Sequence, residues 1–346
     1  MLVKEAKEVV RQWVAEEANK IPGFCGAFYA GSTNWMADEE PMPSTSDIDI
    51  KIVLDVPQLP DSYIKSSHQD IVIEASYLMK HEIASADAVL STYYLAKHFT
   101  TPNVIADPTG FLSEIQAEVQ LNFAKREWVI KRCANARDFA INSLQWLKPE
   151  DPFHDQAFWW LYSAGIVLHM IIVADLRNPT VAKSWVVTTE VLSQYGFLPF
   201  LDRLFANVGS AGMDRAQVET FFCDYVEAFD YAKLYVKTPF WGSTSISDSA
   251  RPLMVDKFAT MIENGLHRQA FFWVAFFHMW CHKAILNDAP PDVQAKTAPL
   301  FDRLVTTLGI PTIEDIARRH KETEALIPEV WKVAEAIIAA NPAIED

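Results

Sequence analysis

Cysteine is scarce in this chain, and the four present, Cys25, Cys133, Cys223 and Cys281, share no metal-ligand spacing. That excludes a thiolate zinc site and a disulfide scaffold, and it fits a reducing cytoplasm. Positive charge is also short: 30 Lys and Arg stand against 45 Asp and Glu, a formal charge of −15 at pH 7. Residues 1–115 alone carry eight basic and seventeen acidic side chains, and no Lys/Arg cluster is interleaved with aromatics. Polynucleotide binding leans on such clusters to neutralise phosphates, so nucleic acid is demoted as a substrate. An acidic cleft would instead attract a cationic small molecule. Acidity that merely keeps a protein in solution explains the charge equally well. A Gly-Lys-Ser/Thr phosphate loop, a dinucleotide glycine fingerprint, a serine nucleophile elbow, internal repeats and low-complexity tracts are all missing.

Long apolar runs are few. Residues 157–174 carry no formal charge over about eighteen positions, near the length of a membrane span. The run contains Ser163, Gly165 and His169, is bounded by Asp155 and Asp175, and lacks flanking basic residues, which predicts a helix buried in a helical domain, not a membrane anchor. Residues 271–281 are similar but too short to span. The first twenty residues lack the apolar core of a signal peptide and predict an amphipathic helix over 3–19, with Val3, Ala6, Val9, Val10, Trp13 and Val14 on one face.

What the chain does have is length and apolar content: 346 residues, half of them hydrophobic, enough for two domains. Strands are predicted over 24–30, 47–54 and 70–78, a helix over about 82–97, and a short strand near 103–106. Asp107-Pro108-Thr109-Gly110 is a turn signal and the expected boundary. Beyond it helical periodicity takes over, with a long helix over about 111–147, a start at Asp214 with Gln217, a stripe through Leu300, Phe301, Leu304, Val305 and Leu308 closed by Gly309, a start at Thr312 and Asp315, and a last helix over 329–340. The expected fold class is α+β: a mixed-sheet α/β domain over 1–110 followed by an all-α helical bundle over 111–346.

The chemistry concentrates in one segment. Gly31-Ser32 ends the short apolar run of the first strand, and Ser46-Asp47-Ile48-Asp49-Ile50 follows. Aspartates at i and i+2 on a strand point to one side, roughly 6.6 Å apart along the chain. They can converge on a pair of Mg²⁺ ions about 3.5–4 Å apart, the clamp for in-line attack at phosphorus. Glycine at position 31 permits close backbone approach, and the following amides with the Ser32 hydroxyl can hold a triphosphate. Glu74 falls mid-strand in the third run, where a carboxylate is costly to bury without a metal or charged partner. An edge-strand surface residue is the plainer reading of the same glutamate.

This arrangement resembles the DNA polymerase β-like nucleotidyltransferase superfamily, whose pattern is a Gly-Ser pair, a spacer, Asp-x-Asp on a strand and a third acid on a later strand. Within it, the layout is most similar to antibiotic adenylyltransferases of the streptomycin/spectinomycin type, which add a helical C-terminal domain. The resemblance rests on specific motifs over about residues 20–80. It implies that Gly31, Ser32 and Ser46 bind the triphosphate, that Asp47 and Asp49 bind Mg²⁺, and that Glu74 either activates the acceptor hydroxyl or completes the metal site. It further implies ATP as the nucleotide, bound in a cleft between the domains, and a hydroxyl of a small, cationic, aminoglycoside-like molecule as acceptor. A protein-AMPylating enzyme of antitoxin type and a non-catalytic nucleotide-binding protein are the alternatives. The chain departs from the family in its spacer over 33–45, which carries Asp38, Glu39 and Glu40 with prolines and methionines where the family has a short glycine-containing turn.

Two further places draw notice. The segment 237–252 is irregular, with Phe240 and Trp241 embedded; it either lines the nucleotide site, with Arg251 near phosphate, or is a connector whose aromatics tuck into the bundle. Lys257, His267 and Arg268 follow and could add positive charge for a triphosphate. His278 and His282 stand at i and i+4, but the residues between them supply no glutamate, so they read as core histidines.

Overall fold

The computed structural model describes residues 1–43, 46–60, 64–69, 71–180 and 182–346. Thr45, at the end of the spacer, and Asp70, the expected first residue of the third strand, lie outside the described residues. The chain is a mixed α/β structure, mostly helical, and it divides into two compact units. One holds residues 1–135, 176–180 and 342–346; the other holds 136–175 and 181–341.

In the first unit, helix α1 (Val3–Glu16) precedes β1 (Phe24–Tyr29), β2 (Ile48–Leu54), β3 (Ile64–His68) and β4 (Ile71–Met79). Helix α2 (Ala86–Ser91), β5 (Val104–Ala106) and α3 (Phe111–Asn122) follow. The strands form one five-stranded mixed sheet in the order β3-β4-β2-β1-β5, parallel only between β2 and β4. The apolar face of α1 is buried as its 3–4 spacing predicts. It packs with Ile48, Ile50 and Ile52, the alternate residues of β2. On the opposite face Phe28, Val53 and Leu78 pack with Val89 and Leu90 of α2 and with Leu112 and Ile115 of α3.

Four expectations need correction. Strand β3 is an addition: Ile-Lys-Ser-Ser-His has no apolar alternation, yet it pairs antiparallel to β4. The helix expected over 82–97 is only six residues long, Ala86–Ser91 behind its Ser85 N-cap, because the Tyr93 amide is taken by Asn135 Oδ1 and the chain turns into 3₁₀ geometry over 96–100. The helix expected over 111–147 breaks between α3 and α4 (Arg126–Leu144). At the break Arg126 N donates to Glu345 O and Glu345 N donates to Ala124 O, so the chain's last residues supply the hydrogen bonds that a continuous helix would have made. The buried Arg132 guanidinium fastens the same corner by donating to the carbonyls of Leu90 and Phe123.

The second unit is all helix: α5 (Phe153–Ile166), α6 (His169–Ala174), α7 (Ser184–Gln194), α8 (Phe200–Asn207), α9 (Arg215–Tyr235), α10 (Lys257–Glu263), α11 (His267–Asp288), α12 (Pro291–Thr307) and α13 (Ile313–Ala340). Helix α11 is central, packed against α9, α5 and α12, and is buried around most of its circumference. The apolar stretch Phe153–Ala174 is long and apolar enough to cross a membrane, but most of it is buried inside the structure. It is a core helix pair. Asp214 and Gln217 form the expected reciprocal cap of α9. The fourth correction is at the C-terminus, where the expected final helix is part of the single 28-residue α13. Pro328 removes one donor there, but the continuous buried face from Leu326 to Ile338 carries the helix through.

Candidate metal centre

The geometry starts from the register of β2 on β4. Asp49 is the direct partner of Glu74 in a parallel pair, so two acids of opposite strands leave the sheet side by side. Asp47 stands one residue before β2 and continues the alternation toward the same face. One carboxylate oxygen from each of Asp47, Asp49 and Glu74 lies within 4.8 Å of the others, and all three residues are half-buried. Oxygens shared by one Mg²⁺ at about 2.1 Å can be at most about 4.2 Å apart, so small side-chain rotations close the set around an ion. The hard oxygen ligands fit Mg²⁺ or Mn²⁺. Among the described residues this is the single group of three or more His, Cys, Asp or Glu side chains gathered in this way.

Gly31 is pressed against one of these carboxylates, that of Asp49. It lies at the exit of β1, where Ala30 N donates to Asp49 O, and Tyr29 is held on both sides of its peptide by Asn103. Its φ of +64° is open to glycine, and an added Cβ would meet Asp49 Oδ2 at 1.7 Å. Ser32 opens a 3₁₀ turn, Ser32–Trp35, and is half-buried. Ser46 N donates to Pro43 O immediately before Asp47. The acidic spacer is drawn to the other side of the sheet's entry: the carbonyls of Asp38 and Glu40 accept from Lys4 N and Val3 N, and the Asp38 carboxylate pairs with Lys7 at 3.0 Å. It therefore supplies partners for the first turn of α1, whose amides would otherwise be orphaned.

Sequence reading passes over four residues behind the acids. Lys51 continues the alternation of Asp47 and Asp49 along β2 and is half-buried. Burial lowers its pKa, against the opposing pull of Asp49, Glu74 and Glu82. The strand period alone could have flagged it. His98, Trp35 and Asn34 have no comparable sequence signal. His98 is buried, its ring stacks on Trp35 at 5.3 Å, and its carbonyl accepts from Asn34 Nδ2. Burial, with Lys51 adding to it, pushes the His98 pKa down to about 3, so the imidazole is neutral. Thr33 Oγ1, Trp35 Nε1 and His98 Nδ1 are among the fifteen buried side-chain polar atoms of the described residues that have no hydrogen-bond partner, most of which lie elsewhere in the chain.

The other candidates belong to the second unit. Arg251 is engaged by Asp230 at 2.7 Å and by Asp256 at 3.8 Å, and Lys257 is the first residue of α10. Arg268 pairs with Asp202 at 2.7 Å. His267 is the first residue of α11. Trp241 contacts Phe158, Trp159, Tyr162, Phe276 and Trp280 while staying exposed, and the Lys283 ammonium lies over the Phe240 ring, so both aromatics rest against helices of their own unit. His278 and His282 are core residues, and burial pushes their pKa values down to about 4 and about 3.

No protein-family model matches the chain, and no curated protein matches it.

Proposed function

We propose that this chain is a Mg²⁺-dependent nucleotidyltransferase that moves a nucleoside monophosphate, AMP from ATP in the first instance, to a hydroxyl of a small and cationic acceptor, acting in the cytoplasm. The observation that carries the reading is the convergence of Asp47, Asp49 and Glu74 beside the glycine turn at Gly31. In this reading the sheet region is a nucleotidyltransferase domain, and the helical region after residue 110 is assigned acceptor recognition.

The acceptor oxygen forms a bond to the α-phosphorus while the α–β phosphoanhydride bond breaks and pyrophosphate departs. Bound Mg²⁺ would neutralise charge at the α-phosphate and on the leaving group. Asp47 and Asp49 would hold it, and Glu74 would complete the site or take the hydroxyl proton. Ser32 and the amides of its turn grip phosphate oxygens, and the close approach of Gly31 leaves the acids room to face them. Ser46, Arg251 and Lys257 are assigned supporting contacts to the nucleotide.

The test is pyrophosphate release from ATP, GTP, CTP and UTP against a panel of aminoglycosides, aminocyclitols and lincosamides. Asp47→Asn and Asp49→Asn should each abolish release while leaving the circular dichroism spectrum intact. Retained turnover in either variant sinks the mechanism. Labelled ATP incubated with cell lysate separates the acceptors, because a labelled protein band would replace the small molecule with a protein. Nucleotide binding that is indifferent to Mg²⁺, with no turnover on any acceptor, would reduce the chain to a binding protein.

A further inference from the structure

Asp47, one residue before β2, and Asp49, Lys51 and Val53 on it stand at alternate positions toward one face. Val53, at the far end of that face, is fully buried with Phe28 and Leu78. Lys51 therefore stands where the acidic end of the strand gives way to apolar core. Its register partner is Ser76, two positions along from the Asp49–Glu74 pair. An ammonium taken out of water is costly unless opposite charge stands beside it. Alternation on β2 puts Asp49 two positions back on the same face, and the register puts Glu74 beside Asp49; these acids, followed by Glu82, act on the ammonium, while the nearby neutral His98 adds no repulsion. Two of its three counter-charges are thus members of the candidate metal centre.

We propose that Lys51 is the built-in counter-cation of this centre, a positioning residue that steadies Asp49 and Glu74 when no metal is bound and restrains metal affinity until nucleotide arrives. The inference rests on reading Asp47, Asp49 and Glu74 as metal ligands. With Glu82 also drawing on Lys51, the three carboxylates keep at least two net negative charges, enough to hold one divalent ion. A second ion then finds little uncompensated charge unless a polyphosphate brings it. Lys51 in this role makes the nucleotide-free protein a weak, single-ion site and couples full metal loading to substrate binding.

The experiment titrates Mn²⁺ into nucleotide-free, full-length protein, following free Mn²⁺ by electron paramagnetic resonance, with thermal melts in EDTA and in Mn²⁺. Wild type should bind one ion. Lys51→Met should bind Mn²⁺ about tenfold more tightly, since one charge about 6–7 Å from a divalent ion, the spacing of alternate strand residues, has roughly that influence even at the dielectric of water. It should also melt below wild type in EDTA and recover most of the difference in Mn²⁺. Lys51→Arg keeps the charge and should keep the wild-type affinity. Lys51→Gln is measured alongside, so that failure of the methionine variant to fold leaves a neutral variant to read. Equal or weaker Mn²⁺ binding in a folded neutral variant overturns the role of Lys51 while leaving the metal centre standing. Absence of Mn²⁺ binding in wild type, or binding undiminished in Asp49→Asn, overturns the metal centre itself and this inference with it.

Discussion

A β-carbon on Gly31 would lie 1.7 Å from Oδ2 of Asp49, less than half an ordinary van der Waals contact. The glycine also holds φ +64° and ψ −169°, a region open almost only to glycine. Two independent constraints therefore fall on one residue: the backbone takes a conformation that would strain any residue with a side chain, and the carboxylate must come within reach of the turn. Gly31→Ala should cost about 1–3 kcal/mol of stability from the backbone alone. It should also displace Asp49 and weaken Mn²⁺ binding at least tenfold. Urea unfolding and metal titration check the two effects separately, and an alanine variant with unchanged metal affinity would mean that Asp49 is not held by this contact.

Glu74 makes a second prediction through its register with Asp49. Its carboxylate is already within the 4.8 Å cluster, so the geometry favours a metal-ligand role over a purely proton-accepting one. Glu74→Gln keeps shape and removes charge, and it should lower Mg²⁺ affinity at least tenfold. A variant that binds Mg²⁺ normally but loses turnover, with the acid limb of its pH–rate profile gone, would instead mark Glu74 as the general base.

How much of this could be read from sequence depends on the range of the interaction that fixes each element. The buried face of α1, the reciprocal cap at Asp214 and Gln217, and the alternation that gives Asp47 and Asp49 a common face all follow from local periodicity, and the structure has them. The Asp49–Glu74 pairing follows from a parallel register set by the whole sheet, which no local pattern specifies. Strand β3 has no alternating signature because its identity comes from pairing with β4. The split at 123–125 is made by Glu345, more than two hundred residues away in sequence. Lys51 was legible by the same period that singles out the aspartates. Its partial burial was not, because burial depends on what packs over the strand and not on the strand's own period.

The buried histidines predict an acid-labile fold. Desolvation lowers the pKa of His98 to about 3, of His278 to about 4 and of His282 to about 3, whereas the unfolded chain titrates near 6.5. Above pH 6.5 neither state binds the proton, and these groups contribute nothing. As pH falls through 6.5 the unfolded state alone takes it up, so stability declines until the folded pKa is reached. At pH 5 each histidine should cost about 2 kcal/mol relative to pH 7. Urea midpoints at pH 7, 6 and 5 should fall steadily, and His98→Gln should flatten the slope. A midpoint independent of pH over that interval would show that these rings are protonated, or solvated, in the folded protein.

Gly242 carries the last prediction, because it decides how the segment 237–252 is seated. The segment is anchored where Asp288 accepts the amides of Lys237 and Thr238 and the Thr238 hydroxyl. From there Trp241 reaches the aromatic cluster, meeting Trp280 edge-on at 5.3 Å and lying parallel to Trp159 at 6.1 Å. Gly242 turns the chain with φ +95°, and a Cβ there would lie 2.4 Å from the Trp280 ring. The turn thus needs a residue that is both free at positive φ and without a side chain. Gly242→Ala should lift Trp241 off the cluster, destabilise the protein by about 1–3 kcal/mol, and reduce the near-ultraviolet circular dichroism of the tryptophans. Trp241→Ala should reproduce the spectral change with a smaller loss of stability, because the indole is 53% exposed and gives up only part of its burial. Wild-type stability and an unchanged spectrum in the Gly242 variant would mean that the segment does not rest on Trp280 in solution.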